Sequence, residues 1–93
     1  MEIREINQTE TKDLIEKGSA VIVDIREKWE FDDFNIGGVN IPAHLLNDHL
    51  NELKQYSQLI IACSNGTRSS IMARVIQKKL PEKEIYHLEE GVF

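Results

Sequence analysis

Gln58-Leu59-Ile60-Ile61-Ala62-Cys63-Ser64-Asn65-Gly66-Thr67-Arg68 is the stretch whose reading decides the fold. Its opening run is apolar and does not alternate with polar residues, which is the pattern of a strand covered on both faces. Small polar residues around one glycine follow. From Arg68 to Leu80 the chain becomes periodic: Ile71, Met72, Val75 and Ile76 form one stripe, Lys78 and Lys79 sit at the end, and Pro81 stops the helix. A buried strand, a short loop and a helix therefore follow one another, with Cys63 where the strand ends.

The same pattern extends outward. Toward the N-terminus, Ala20-Val21-Ile22-Val23 is a second apolar, mainly β-branched run, expected to lie centrally in a sheet. Ahead of it, residues 3–6 suggest a short strand, and Asn7 with Glu10 three residues later forms a capping-box pattern that predicts a helix over residues 9–17. Leu14 and Ile15 supply its expected buried face, Lys17 suits the negative end of the helix dipole, and Gly18 can end the helix in the left-handed conformation. Residues 24–38 form a polar excursion expected to contain one helical turn, anchored by Trp29, Phe31, Phe34 and Ile36, and closed by the Gly37-Gly38 turn. Leu46, Leu50 and Leu53 recur at helical spacing within residues 43–54, and residues 84–88 make a last strand.

Strands alternating with helices in this way predict an α/β fold: a small, mostly parallel twisted sheet of four to five strands with right-handed crossovers and helices on both faces. Ligands bind at the carboxyl ends of strands in such sheets. Two strands end in chemically capable residues, one in Asp24 with Arg26 close behind, the other in Cys63.

Length and composition narrow the function. At 93 residues there is room for one domain with a modest core. A net charge of −5 with scattered basic residues leaves no stripe for a nucleic-acid backbone, so no nucleic-acid partner is expected. Every apolar run is much shorter than a membrane span, and Met1-Glu2-Ile3-Arg4-Glu5 carries charges where a signal peptide needs an apolar segment. The expectation is a cytoplasmic protein without membrane association. A single cysteine excludes an internal disulfide and a cysteine-based metal cluster. His44, His49 and His87 lack metal-site spacing and are expected as surface or capping residues, with no metal.

The loop opened by Cys63 suits thiolate chemistry. Amides at a helix N-terminus and a nearby guanidinium both lower a thiol pKa from its free value of about 8.5. Gly66 permits a tight turn, and the hydroxyls of Ser64, Thr67 and Ser69 can donate to an anionic adduct. The competing account is that Cys63 is a buried small hydrophobe ending a core strand. That account leaves unexplained an arginine at the start of a helix, where the dipole disfavours positive charge.

Cys63-Ser64-Asn65-Gly66-Thr67-Arg68-Ser69 resembles the active-site loop of rhodanese-like sulfurtransferases, Cys-x-x-Gly-x-Arg-Ser. A second block, from Val23-Asp24-Ile25-Arg26 through Trp29-Glu30-Phe31 to Gly37-Gly38-Val39-Asn40-Ile41-Pro42, is similar to that family's other signature, although Asn35 stands where the family often has histidine. Leu88-Glu89-Glu90-Gly91 resembles the start of a Leu-x-Gly-Gly segment, with Glu90 in place of the first glycine. The resemblance spans nearly the whole chain and implies one rhodanese-like domain over residues 1–93 that lacks the usual C-terminal helix. It implies a cycle in which the Cys63 thiolate takes sulfur from a donor, thiosulfate or a persulfide, as a covalent persulfide without another cofactor. The sulfur then passes to a thiophilic acceptor, cyanide or a cellular thiol. Partners would be small-molecule or protein sulfur donors and acceptors.

Asp24 and Arg26 are expected to support the site, Arg26 by pairing with Glu30. Arg68 either points at a ligand or braces the loop through Asp24 or Glu30. Two alternatives remain: a noncatalytic rhodanese-like binding or regulatory module, and a cysteine phosphatase or arsenate reductase. The phosphatase signature places five residues between cysteine and arginine, whereas here there are four, Ser64 to Thr67, which makes a smaller cradle.

Overall fold

Successive residues of a strand face opposite sides of the sheet, so a run that is buried on both sides must be apolar throughout. Both apolar runs behave this way in a computed structural model that describes residues 2–93. The elements are β1 (Arg4–Ile6), α1 (Gln8–Glu16), β2 (Ala20–Asp24), α2 (Lys28–Asp33), β3 (Val39–Asn40), a 3-10 helix (Ala43–His49), α3 (Leu50–Leu53), β4 (Gln58–Ala62), α4 (Thr67–Lys79) and β5 (Glu84–Leu88). All neighbouring strands pair parallel, in the order β1-β5-β4-β2-β3. The expected mostly parallel sheet is present, with five strands, and β2 lies inside it.

The sheet separates two cores. On one face Ile22, Ile60, Ala62, Tyr86 and Leu88 pack with Ile6 and Val92, and Leu14 of α1 leans against them. On the other face Val23, Leu59, Ile61 and Ile85 meet Leu46, Leu53, Ala73, Ile76 and Cys63, bringing in the 3-10 helix, α3 and α4. Helices thus cover both faces.

Several local expectations shift. α1 begins at Gln8 and carries the capping box: the Glu10 amide donates to Asn7 Oδ1 at 2.8 Å, and the Asn7 amide donates to Glu10 Oε1 at 3.2 Å. Ile15 is exposed rather than buried, and Thr11 takes the inward position, its hydroxyl donating to the Asn7 carbonyl at 2.9 Å. On α4 the buried positions are Ser69, Ala73 and Ile76, with Met72 and Val75 partly covered. Ile71 is 61% exposed, because it lies two residues from Ala73, on the far side of the helix. Trp29 does not anchor the excursion either: it is 71% exposed, whereas Phe31 is half-buried and Phe34 stacks on Phe93 with ring centroids 5.3 Å apart. The segment over residues 43–54 is mostly 3-10 helix, but Leu46 and Leu53 still reach the core.

Parallel pairing brings the carboxyl ends of β2, β4 and β5 to one edge of the sheet. Asp24, Cys63 and the segment after Leu88 therefore meet there.

Candidate functional site

β4 ends at Ala62, and the chain must turn at once to start α4 at Thr67. Gly66 makes that turn as the residue preceding the helix, with φ +89. A β-carbon there would also collide with the Glu89 carbonyl oxygen, so both conformation and close approach demand glycine. Asn65 tightens the loop, its Oδ1 accepting the Thr67 amide at 3.1 Å.

The result is a cradle for one sulfur. Cys63 Sγ accepts the Gly66 amide at 3.2 Å and the Ser69 amide at 3.3 Å. The side chain has no solvent exposure. Burial pushes the thiol pKa up, but the Ser69 hydroxyl and the amides of Ser69, Asn65 and Gly66 together outweigh it, and the pKa lies below the ordinary cysteine value. A thiolate at this position is stabilised by oriented donors rather than by solvent. The backbone is held from behind as well, since the Val92 amide donates to the Cys63 carbonyl at 2.9 Å.

Arg68 braces. Its Nη1 and Nη2 donate to the two carboxylate oxygens of Glu30, each at 3.0 Å, and Nη2 also donates to Ser64 Oγ at 3.2 Å. The arginine holds the Glu30 carboxyl below the usual carboxylate range, and the same hydrogen bonds raise the Arg68 guanidinium. This bidentate pair explains how a cation is accommodated at a helix start: Glu30, on α2, supplies the compensating charge.

Asp24 and Arg26 lie beneath that arrangement. Arg26 Nε donates to Asp24 Oδ1 at 3.0 Å and Nη2 to Oδ2 at 2.8 Å, with both side chains buried. The expected pairing of Arg26 with the Glu30 side chain is replaced by this shorter-range one, because Glu30 is taken by Arg68; Arg26 reaches only the Glu30 carbonyl, at 3.5 Å. Its Nη2 also donates to the Phe34 carbonyl at 2.7 Å, fastening the excursion just beyond the end of α2. Hydrogen bonding to Asp24 raises the Arg26 guanidinium pKa. Asn40 Nδ2 donates to the carbonyls of Asp24 and Arg26 at 3.1 and 2.9 Å, which gives the Asn of the second sequence block a structural use. Asn35 shapes the turn before it, donating to the Phe31 carbonyl and accepting the Gly37 amide, both at 2.9 Å.

Of the three hydroxyl residues in the loop, Ser64 accepts from Arg68, Thr67 is exposed, and Ser69 is buried against Cys63. Ser69 has a partner that residue spacing does not reveal. His87, expected on the surface, is 4% exposed, with Nε2 2.7 Å from Ser69 Oγ. Its position inside the last strand, flanked by Tyr86 and Leu88, is the sequence signal for burial. His44 and His49 are the surface histidines, beside Glu27 and Glu52 respectively.

Residues 7–93 match the family described as the rhodanese-like domain. YrkF of Bacillus subtilis strain 168, named provisionally as a sulfur carrier protein, is 36% identical over 62 residues. That alignment covers 66% of this chain and 34% of YrkF, so the chain spans about a third of that relative. A thiosulfate sulfurtransferase from Pseudomonas aeruginosa superposes with a TM-score of 0.84 at 24% identity, over 96% of this chain and 18% of that one. A rhodanese-like domain protein from Staphylococcus aureus gives a TM-score of 0.80 at 24% identity, over 96% of this chain and 87% of its own. These structural likenesses carry the fold, and the family match over residues 7–93 includes the Cys63 loop. The chain belongs to the rhodanese-like domain family.

Proposed function

We propose that residues 1–93 act as one rhodanese-like unit that transfers sulfane sulfur through a persulfide on Cys63. The observation that carries this reading is the convergence of the Gly66 and Ser69 amides on Sγ in a loop with only four residues between Cys63 and Arg68. The Cys63 thiolate attacks the outer sulfur of the donor. An Sγ–S bond forms, the donor's own bond to that sulfur breaks, and the leaving sulfite or thiolate keeps the electron pair. An acceptor nucleophile then attacks the outer sulfur, and Cys63 departs as the thiolate. The amides stabilise negative charge at both stages, and no cofactor beyond the covalent sulfur is required.

Glu30 neutralises Arg68, and the chain carries a net charge of −5, so nothing at the loop draws a dianion such as thiosulfate strongly. A protein or low-molecular-weight persulfide suits the site better, in a reducing cytoplasmic setting that keeps Cys63 a thiol. The occupied guanidinium also argues against a phosphatase, which needs its arginine for the tetrahedral oxyanion.

The complete burial of Cys63 favours a second reading, a noncatalytic binding module of the same family. Mass spectrometry after exposure to a persulfide donor separates the two. The wild type should gain one sulfur atom that cyanide or a thiol removes, and Cys63→Ser should gain none. Failure of the wild type to take up sulfur, or equal uptake by Cys63→Ser, defeats the enzymatic reading.

A further inference from the structure

Gly66 and Ser69 supply the two amides that donate to Cys63 Sγ, and one ring reaches both residues: His87 Nε2 is 2.7 Å from Ser69 Oγ and close to the Gly66 carbonyl. Whether the ring holds them as a donor depends on the hydrogen at Nε2, and the surrounding geometry decides that. Nε2 lies 3.1 Å from the Gly66 carbonyl oxygen, which only accepts, so Nε2 must carry a hydrogen to avoid opposing lone pairs. On the other side, Nδ1 is 2.6 Å from Glu5 Oε2. Whether the proton between them sits on the ring or on the carboxyl, Nε2 remains a donor. The contact is built into the sheet, because Glu5 of β1 is the register partner of His87 on β5.

We propose that His87, held by Glu5, is a positioning residue for Cys63: its Nε2 hydrogen is shared between Ser69 Oγ and the Gly66 carbonyl, so one ring fixes both residues whose amides donate to the sulfur. His87 does not touch the sulfur's adduct and takes no proton from a substrate. It acts through two groups that do touch the sulfur. The other charged group on this side is Arg74 of α4, which lines a cavity of about 170 Å³ with Ile3, Glu5, Ser70 and His87.

The inference rests on Cys63 working as a thiolate, but its test needs no sulfur donor and so stands apart from the transfer assay. The thiolate ultraviolet absorbance of the full chain is followed against pH for the wild type, Ser69→Ala, His87→Phe, His87→Gln and the Ser69→Ala/His87→Phe double variant. Loosening an amide that donates to a charged sulfur should raise the titration midpoint by about half a pH unit in Ser69→Ala and by about one in His87→Phe, which frees Gly66 as well. The double variant should shift little beyond His87→Phe, since the bond that Ser69→Ala removes is already gone there. Glutamine offers an N–H near the place of Nε2, so His87→Gln should stay near the wild type, and it guards against a folding defect in the phenylalanine variant. Glu5→Gln, at an exposed position, should shift the midpoint in the same direction by less. An unchanged midpoint in folded His87→Phe overturns the proposal. So does a double variant whose shift is the sum of the single ones, which would mean that His87 acts on the sulfur by charge alone.

Discussion

Replacing Asp24 with alanine should cost more stability than any single change on the surface of this protein. Asp24 and Arg26 have 0% and 1% side-chain exposure, and the guanidinium makes three contacts with the carboxylate, at 3.0, 3.2 and 2.8 Å. The Arg26 amide adds a fourth, at 3.1 Å to Oδ1. In Asp24→Ala the guanidinium stays buried, with the carbonyls of Phe34 and Glu30 as hydrogen-bond partners and the Phe93 ring 5.6 Å away, but with no opposite charge. Leaving one charge of a buried pair uncompensated costs about 3–5 kcal/mol. A domain of this size has roughly 5–15 kcal/mol in total. At about 4–8 °C per kcal/mol, the melting temperature should fall by more than roughly 10 °C. Urea unfolding followed by circular dichroism provides the measurement, with an unchanged m-value showing that the native state is still compact. The companion variant Asp24→Leu/Arg26→Met removes both charges, and should be more stable than Asp24→Ala because no ion is stranded. A loss below about 1 kcal/mol in Asp24→Ala, or a double variant less stable than the single one, would refute the reasoning.

Gly66→Ala should combine the cost of a left-handed non-glycine residue, about 1–2 kcal/mol, with displacement of the loop from the Glu89 carbonyl; sulfur uptake on Cys63 should drop with it, as read by mass spectrometry. Glu30→Gln should leave thermal stability nearly unchanged, within about 1 kcal/mol, because Arg68 is half in solvent, yet slow persulfide formation by freeing the loop. Its pH dependence has a definite sign. The Glu30 carboxyl is lowered in the folded state, so its contribution is present above the unfolded value of about 4.3 and disappears as pH falls through the folded value; urea melts of wild type and variant should converge in acid. The Cys63 thiol is likewise lowered, so its contribution is present above about 8.5 and fades as pH falls through the folded pKa; the wild type should gain stability over Cys63→Ala on raising the pH through that interval.

The sheet was legible because its strands are short apolar runs, and the bounds expected for β4 and β5 are those observed. Helix faces were less so. Ile15 and Ile71 are apolar and yet exposed, and Thr11 and Ser69 are polar and yet buried, because each position on a helix is set by what it packs against. At the site, the loop from Cys63 to Ser69 was legible as a unit because its residues are close in sequence, and Glu30 was one of the two carboxylates expected to brace Arg68. The unforeseen partners are His87 of β5 for Ser69 and Val92, beyond the end of β5, for the Cys63 carbonyl. Such pairings depend on strand order and register, which residue spacing does not encode. Trp29 shows the converse, an aromatic residue whose hydrophobicity suggested an anchor where the structure leaves it in solvent.

The clamp on Cys63 from Val92, together with Gly91 pressed on the Ser64 carbonyl and strapped by Gln8, has a temporal consequence. Synthesis delivers Cys63 and its whole loop well before the segment that holds them. Until residues 87–92 have left the ribosome and β5 has inserted between β1 and β4, a nascent chain has the thiol without its tailored surroundings. The amide surroundings of the cysteine are thereby tied to completion of the central sheet, and a half-made chain offers an ordinary thiol to the cell.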